Sequence, residues 1–200
     1  MAGSRPNIAQ RAAEDREDVE LLERIAAGDR GALTTLYGRY YHPLLRFMHR
    51  LTDDLEAAQE GVNDVMLVVW DKAASFGSRS RASTWILGIA YRKGLKLRSR
   101  LHKWTQRFKA ADWDTVVEPR AEAPGLTDEL MTRDLLWCAI RQLPPRQRAV
   151  IELTYFFGCS YEEIARIVDC PENTVKTRMF HARARLKQCL ERLGQRSADD

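Results

Sequence analysis

Acidic residues are missing from one long stretch of this sequence. Residues 72–111 carry 11 Lys/Arg and no Asp or Glu. Residues 1–71 carry 8 basic and 13 acidic residues, residues 112–134 carry 2 and 7, and residues 135–196 carry 11 and 6. Two basic blocks thus alternate with acidic ones, although the net charge of the chain is only +4. Such segregation points to a polyanion touched at two places; the plainer reading is a set of solvated helix faces. No apolar run approaches the ~18 residues of a membrane span, so no membrane insertion is expected. The opening "MAGSRPNIAQRAAEDRED" lacks the apolar core of a secretory signal, and a cytoplasmic location is expected. Cys138, Cys159, Cys170 and Cys189 share no short paired spacing. That argues against a disulfide framework or a metal site and for small buried hydrophobes in a reducing compartment. The sequence has no nucleophile–base pair, no phosphate-cradling glycine loop and no metal-ligand cluster. An enzyme is not expected, nor a cofactor or a metal.

Strand signals are scarce, and helical periodicity fills most of the chain. Val19, Leu22, Ile25 and Ala26 share a face over 17–27; Gly28 ends that helix and Asp29 caps the next. The second helix carries Leu33, Leu36, Tyr37 and Tyr40. Pro43 opens a third, with Leu44, Leu45, Phe47 and Met48. Leu55, Ala58, Val62, Val65, Met66, Val69 and Ala73 stripe a long helix from about 54 to 74. The loop "SFGSRSRAS" breaks the pattern, and a helix with Trp85, Ile86, Ile89 and Ala90 inward runs from 84 to about 103. Residues 111–126, "ADWDTVVEPRAEAPGL", have two prolines, a glycine and no period, and read as an acidic flexible linker. The second half is again helical, with breaks at Pro144-Pro145 and Gly158. The fold class is all-α: a disordered N-terminus (1–16), a first helical domain (17–110), the linker (111–126), a second helical domain (127–193) and a frayed tail (194–200).

The stretch "GCSYEEIARIVDCPENTVKTRMFHARARL" holds the sharpest local pattern. Ser160 and Glu163 form a capping box ahead of a short helix that buries Ile164, Ala165 and Val168. Asp169-Cys170 makes a tight turn, and Pro171 is a favoured first helical residue. Val175, Met179, Ala182 and Leu186 then repeat at four, three and four, giving an inward face. The opposite face presents Asn173, Thr177 and His181 with Thr174 nearby; Lys176, Arg178 and Arg183 flank it, and Glu172 stands in the first turn. A short helix, a turn and a second helix with a polar outward face make a helix-turn-helix. Its second helix enters a DNA major groove N-terminus first. Cations would contact phosphates, and Asn and Thr suit base edges. The alternative is an amphipathic helix with a basic exterior.

With these residues in view, "LPPRQR", "SYEEIA" and "TVKTR…ARARL" within 143–187 resemble the C-terminal domain of bacterial sigma factors of the extracytoplasmic-function (ECF) group. "ALTTLYGRYYHPLLRFMHRLT" (32–52) resembles the first helices of the other sigma domain, and "SFGSRSRASTWILGIAYRKGLKLRSR" (75–100) its promoter-melting segment. The resemblance covers roughly 17–190. It implies that the first domain binds core RNA polymerase and captures the −10 strand of promoter DNA, and that the second reads the −35 duplex. Single-stranded bases are held by aromatic stacking in a cationic groove. Phe76, Arg79, Arg81, Ser83, Thr84, Trp85, Tyr91, Arg92, Lys93 and Lys96 are the candidates there, with core packing as the other reading of Phe76 and Trp85.

The sequence departs from the family where the resemblance implies polymerase docking. An acidic cluster of the type Asp-Ala-Glu-Asp is replaced by Ala57, Ala58, Gln59 and Glu60, and Gly61 and Asn63 follow where the family has apolar and Gln residues. Arg92 stands where the family often has Asn. Docking contacts are expected on Asp54, Glu56, Gln59, Glu60, Asn63 and Asp64. One expectation is plain drift. The other is weak docking until negative charge is supplied, by a partner or by a protein kinase phosphorylating Thr52. An anti-sigma factor is a further expected partner. The alternative functions are a helix-turn-helix transcription regulator and a sigma-like regulatory protein that does not itself direct initiation.

Overall fold

A computed structural model describes residues 8–109 and 136–196. The described residues are helical, with no strand among them. The first unit holds α1 (Ile8–Ala26), α2 (Arg30–Thr52), α3 (Leu55–Lys72), a 3-10 turn (Ala73–Ser75) and α4 (Ala82–Lys109). The second holds α5 (136–141), α6 (Pro145–Tyr155), α7 (Tyr161–Val168) and α8 (Glu172–Arg196). The expected linker at 111–126, the tail beyond 196 and most of the expected disordered N-terminus lie outside the described residues.

The ends of the helices follow local chemistry. Gly28 adopts φ +89°, the left-handed turn that closes α1. Asp29 then caps α2, accepting the Ala32 N–H at 3.1 Å while pairing with Arg24 at 2.7 Å. The bond from Arg24 holds the Asp29 carboxyl below its ordinary range. Asp54 caps α3 through the Ala57 N–H at 2.8 Å. The cap of α4 comes from a distant helix: Asp15 of α1 accepts the Ala82 N–H at 2.9 Å. Beside it, Asp18 is 3% exposed and receives the Tyr40 hydroxyl and the Arg39 guanidinium, each at 2.5 Å. Burial still raises its carboxyl above the ordinary value.

One sequence expectation about the helices needs correction. Pro43 does not start a helix but sits inside α2, which continues unbroken to Thr52. Leu36 and Tyr40 before it and Leu44, Phe47, Met48 and Leu51 after it are all buried on one face. Packing on both sides of the proline outweighs the local penalty of about 3 kcal/mol. Among the described residues the two units share a continuous core, with Phe47 of α2 edge-on to Phe157 at 5.5 Å and α4 packed along α7.

Candidate nucleic-acid interface

The helix-turn-helix forms as its sequence specifies. The Ser160 hydroxyl accepts the Glu163 N–H at 3.2 Å, and the Glu163 carboxylate accepts the Ser160 N–H at 2.8 Å. Asp169 takes the left-handed conformation at φ 52°, making the turn. Pro171 stands just before α8, its carbonyl accepting the Thr174 and Val175 N–H groups. Val175, Met179 and Ala182 are buried, so the opposite side of α8 faces out. Glu172, Asn173, Lys176, Thr177, His181 and Arg183 are exposed on it, and Thr174 and Arg178 are half-buried at its edge. Lys176 pairs with Glu172 at 2.9 Å, Arg178 approaches the Cys170 sulfur at 3.5 Å, and Arg183 donates to the Tyr155 hydroxyl at 2.8 Å.

One residue on this face escaped the sequence reading. Phe180 is 70% exposed and packs edge-on to His181 at 5.5 Å. At about 100° per residue it lies roughly 20° from Asn173, on the side away from Thr177, and still on the outward arc. Its signal was available: it is a large aromatic outside the 175–179–182–186 apolar series.

The second candidate surface lies on α4. Val68, Lys72, Trp85, Ile89, Arg92, Lys93 and Lys96 line an open pocket with a half-buried indole and four cations. That is the combination that holds an unpaired base by stacking and its phosphates by charge. Lys72 is an addition to the expected set. Phe76, Thr84 and Tyr91 are corrections: they are 9%, 4% and 4% exposed and belong to the core. Phe76 backs Trp85 at 5.4 Å instead of facing a base. Ser83 is half-buried and Arg79 exposed. Arg81 is drawn away toward Asp15 at 3.8 Å and Glu163 of the helix-turn-helix at 3.3 Å.

The expected docking residues on α3 divide. Asp54 is spent on its cap, the Asn63 side-chain oxygen accepts the Tyr37 hydroxyl at 2.9 Å, Asp64 pairs with Lys93 at 3.0 Å and Glu60 lies 3.9 Å from Arg100. Ala57 and Ala58, at two of the cluster positions, are buried. Glu56 and Gln59 are exposed, and Leu55, Gln59, Asn63 and Leu67 run along one face at four-residue spacing. Leu55 and Leu67 are 52% and 62% exposed; Leu67 continues into a cleft with Tyr37, Met66 and Trp70. The surface is apolar and amide-bearing where acid was expected. Thr52 is a correction as well. It is 7% exposed, its hydroxyl donates to a backbone carbonyl at 3.0 Å and accepts the Asp54 N–H at 3.3 Å, so it offers no acceptor to a kinase in this conformation.

Among the described residues no helix is long and apolar enough to cross a membrane, and no group of His, Cys, Asp and Glu could hold a metal ion.

Two domain models of one family match the chain: Sigma-70 region 2 over residues 36–105 and Sigma-70, region 4 over residues 133–186. The chain is similar to the RNA polymerase sigma-H factor of Pseudomonas aeruginosa, at 28% identity over 88% of this chain and 95% of that one. It is also similar to the ECF RNA polymerase sigma-E factor of Escherichia coli, at 29% identity over 85% and 92%. Its fold matches CnrH, solved in complex with the cytosolic domain of CnrY, with a TM-score of 0.64 at 20% identity over 88% and 97% of the two chains. It also matches the sigma factor RpoE of Bartonella quintana, solved with the anti-sigma factor NepR, with a TM-score of 0.60 at 25% identity over 79% and 96%. The first region spans the Trp85 pocket and the α3 face, the second spans the helix-turn-helix, and the chain belongs to the sigma-70 family as an ECF-type member.

Proposed function

We propose that this protein binds core RNA polymerase and directs promoter-specific transcription initiation, with α8 reading the −35 duplex and the Trp85 pocket holding an unpaired −10 base. It does no chemistry itself and works in the cytoplasm, where it lends sequence preference to the polymerase. The observation that carries this reading is the pairing of the exposed Asn173–Thr177–Lys176 face with a basic, indole-lined pocket in one chain. A duplex reader alone would need only the first. The α3 face, with Gln59, Leu67 and Trp70, is the docking surface for polymerase. An anti-sigma factor is the regulatory partner, as it is for the RpoE relative.

The test is transcription from a purified system of core polymerase, this protein and a linear promoter template. A run-off product that depends on the protein and is lost when the −35 sequence is scrambled is expected. Specific duplex binding without any product would instead support the regulator reading, which the shortage of acid on α3 favours.

A further inference from the structure

Every polar side chain around the Trp85 pocket is a hydrogen-bond donor: Lys72, Arg92, Lys93, Lys96 and the indole N–H of Trp85 itself. Trp85, Ile89 and Arg92 stand at i, i+4 and i+7 of α4 and share one face. Val68 and Lys72 of α3 complete the lining, and the space enclosed is about 430 Å³, the size of a small-molecule site. Lys93 is already engaged, since Asp64 takes it at 3.0 Å. Among the described residues Arg92 has no hydrogen-bond or ion-pair partner, and it is exposed.

The place of the Arg92 head follows from a glycine. Gly88, one turn earlier, is buried. A methyl group there would lie 3.5 Å from Arg92 Nη1 and 3.7 Å from Nη2. The guanidinium therefore lies back along α4 over Gly88, toward the Trp85 turn, as long helical side chains lean toward the N-terminus. A methyl would only touch it; a longer side chain would take its place. Glycine is a poor residue for a helix interior, and here its bareness leaves room for the arginine fork.

A wall of donors discriminates among bases. An unpaired base shows both its stacking faces and its edges. Adenine sets an amino donor beside its N7 acceptor, so one of two donors facing that edge meets another donor. Thymine places an N–H between its two carbonyl oxygens. Guanine offers O6 and N7 as neighbouring acceptors, the pair that an arginine bonds with both arms. Cytosine also has two neighbouring acceptors, O2 and N3, but its single ring covers less of the indole. Asparagine, the residue the family often has at position 92, carries a donor and an acceptor and suits adenine N6 and N7 instead.

We propose that Arg92 makes the Trp85 pocket selective for an unpaired guanine, with the indole stacked on the base and the guanidinium bonding O6 and N7. The proposal rests on the reading of this pocket as the holder of a −10 base, and adds which base it prefers.

The experiment uses the full-length protein bound to core RNA polymerase, with core polymerase alone as the blank, and reads the fluorescence anisotropy of labelled single strands. The strands are oligothymidines of about 12 nucleotides, within the span of a single-strand site. Each carries one central guanine, adenine, cytosine, inosine or 7-deazaguanine. Guanine should bind on the order of tenfold more tightly than adenine or cytosine. Inosine keeps O6 and N7 and should match guanine; 7-deazaguanine lacks N7 and should lose most of the advantage. Arg92→Lys keeps the cation but not the fork, so it should bind all the bases within about twofold of one another. A wild-type preference for cytosine or adenine, full affinity for 7-deazaguanine, or a guanine preference retained in Arg92→Lys would each overturn the assignment. Trp85→Ala should weaken binding of every strand. If it does so while the wild type shows no preference among bases, the pocket holds a base and the guanine assignment is wrong. If Trp85→Ala changes nothing, or the assembled polymerase binds no strand more tightly than core polymerase does, the base-holding reading itself fails.

Discussion

A methyl group added at Gly61 would sit 2.4 Å from Met48 Cε and 2.8 Å from Leu97 Cδ1. In an open helix Gly→Ala gains about 1 kcal/mol. Here the new carbon enters a fully packed site between α2, α3 and α4, where Met48 is fully buried. Gly61→Ala is expected to lower stability by about 1 kcal/mol, read by urea unfolding, because overpacking outweighs propensity. The sequence shows a glycine in a helix and its local cost; the close approach of three helices is a tertiary fact with no local sign. Phe180 carries a second prediction at this scale. An exposed phenyl on a groove-facing helix makes apolar contact with a thymine methyl. Replacing the thymines of a −35 duplex by uracil, position by position, should weaken wild-type binding at one position by roughly 5-fold or more, an effect of about 1 kcal/mol or above. Phe180→Ala should lose that discrimination while still binding. Equal sensitivity in the variant would remove Phe180 from the reading face.

At the scale of elements, the helix-turn-helix was legible almost residue by residue because its signals are local: a capping box, a left-handed turn and a four–three–four apolar repeat. The Trp85 pocket was legible only as a list, from which packing withdrew Phe76, Thr84 and Tyr91. An aromatic or β-branched residue at helical spacing looks alike whether it lines a pocket or fills the core behind it. Pro43 was misread for a related reason: its penalty is local, whereas the buried face of α2 that overrides it depends on α3 and α4. That account has a consequence. If α2 persists through Pro43 by packing alone, Pro43→Ala should keep the fold and restore a helix-compatible N–H. The variant is expected to gain about 1–2 kcal/mol, less than the full proline penalty because alanine also frees the unfolded chain. A loss of stability on thermal unfolding would mean that the proline's bend is itself needed.

For the whole molecule, the sequence showed two helical units and alternating basic and acidic blocks but not that the units share a seam. Arg50, Arg148 and Glu152 look like ordinary solvated side chains in a linear reading, and only juxtaposition buries Arg148 and Glu152 and half-buries Arg50. The same burial gives the packing of the two units against each other, the closed form, a pH dependence. Within the closed form, burial pushes the Glu152 carboxyl above its ordinary value near 4.5, with Arg50 pulling more weakly the other way. The charged groups facing it are Arg50 from α2 and Arg148 from α6, and arginines do not titrate in this range. Once the units part, the carboxyl meets water and returns toward its ordinary value. The closed form therefore binds the proton more tightly. Its advantage is complete below the ordinary value and is lost as pH rises through the raised one. Scattering from the wild type should accordingly show a more compact chain at about pH 5 than at about pH 7.5. Glu152→Gln keeps an acceptor for Arg50 and removes the titration, so its compactness should stay flat over the same interval. An equally steep response in that variant would assign the proton to another group, and Asp18, whose carboxyl burial also raises but which lies within the first unit, would be the next to replace.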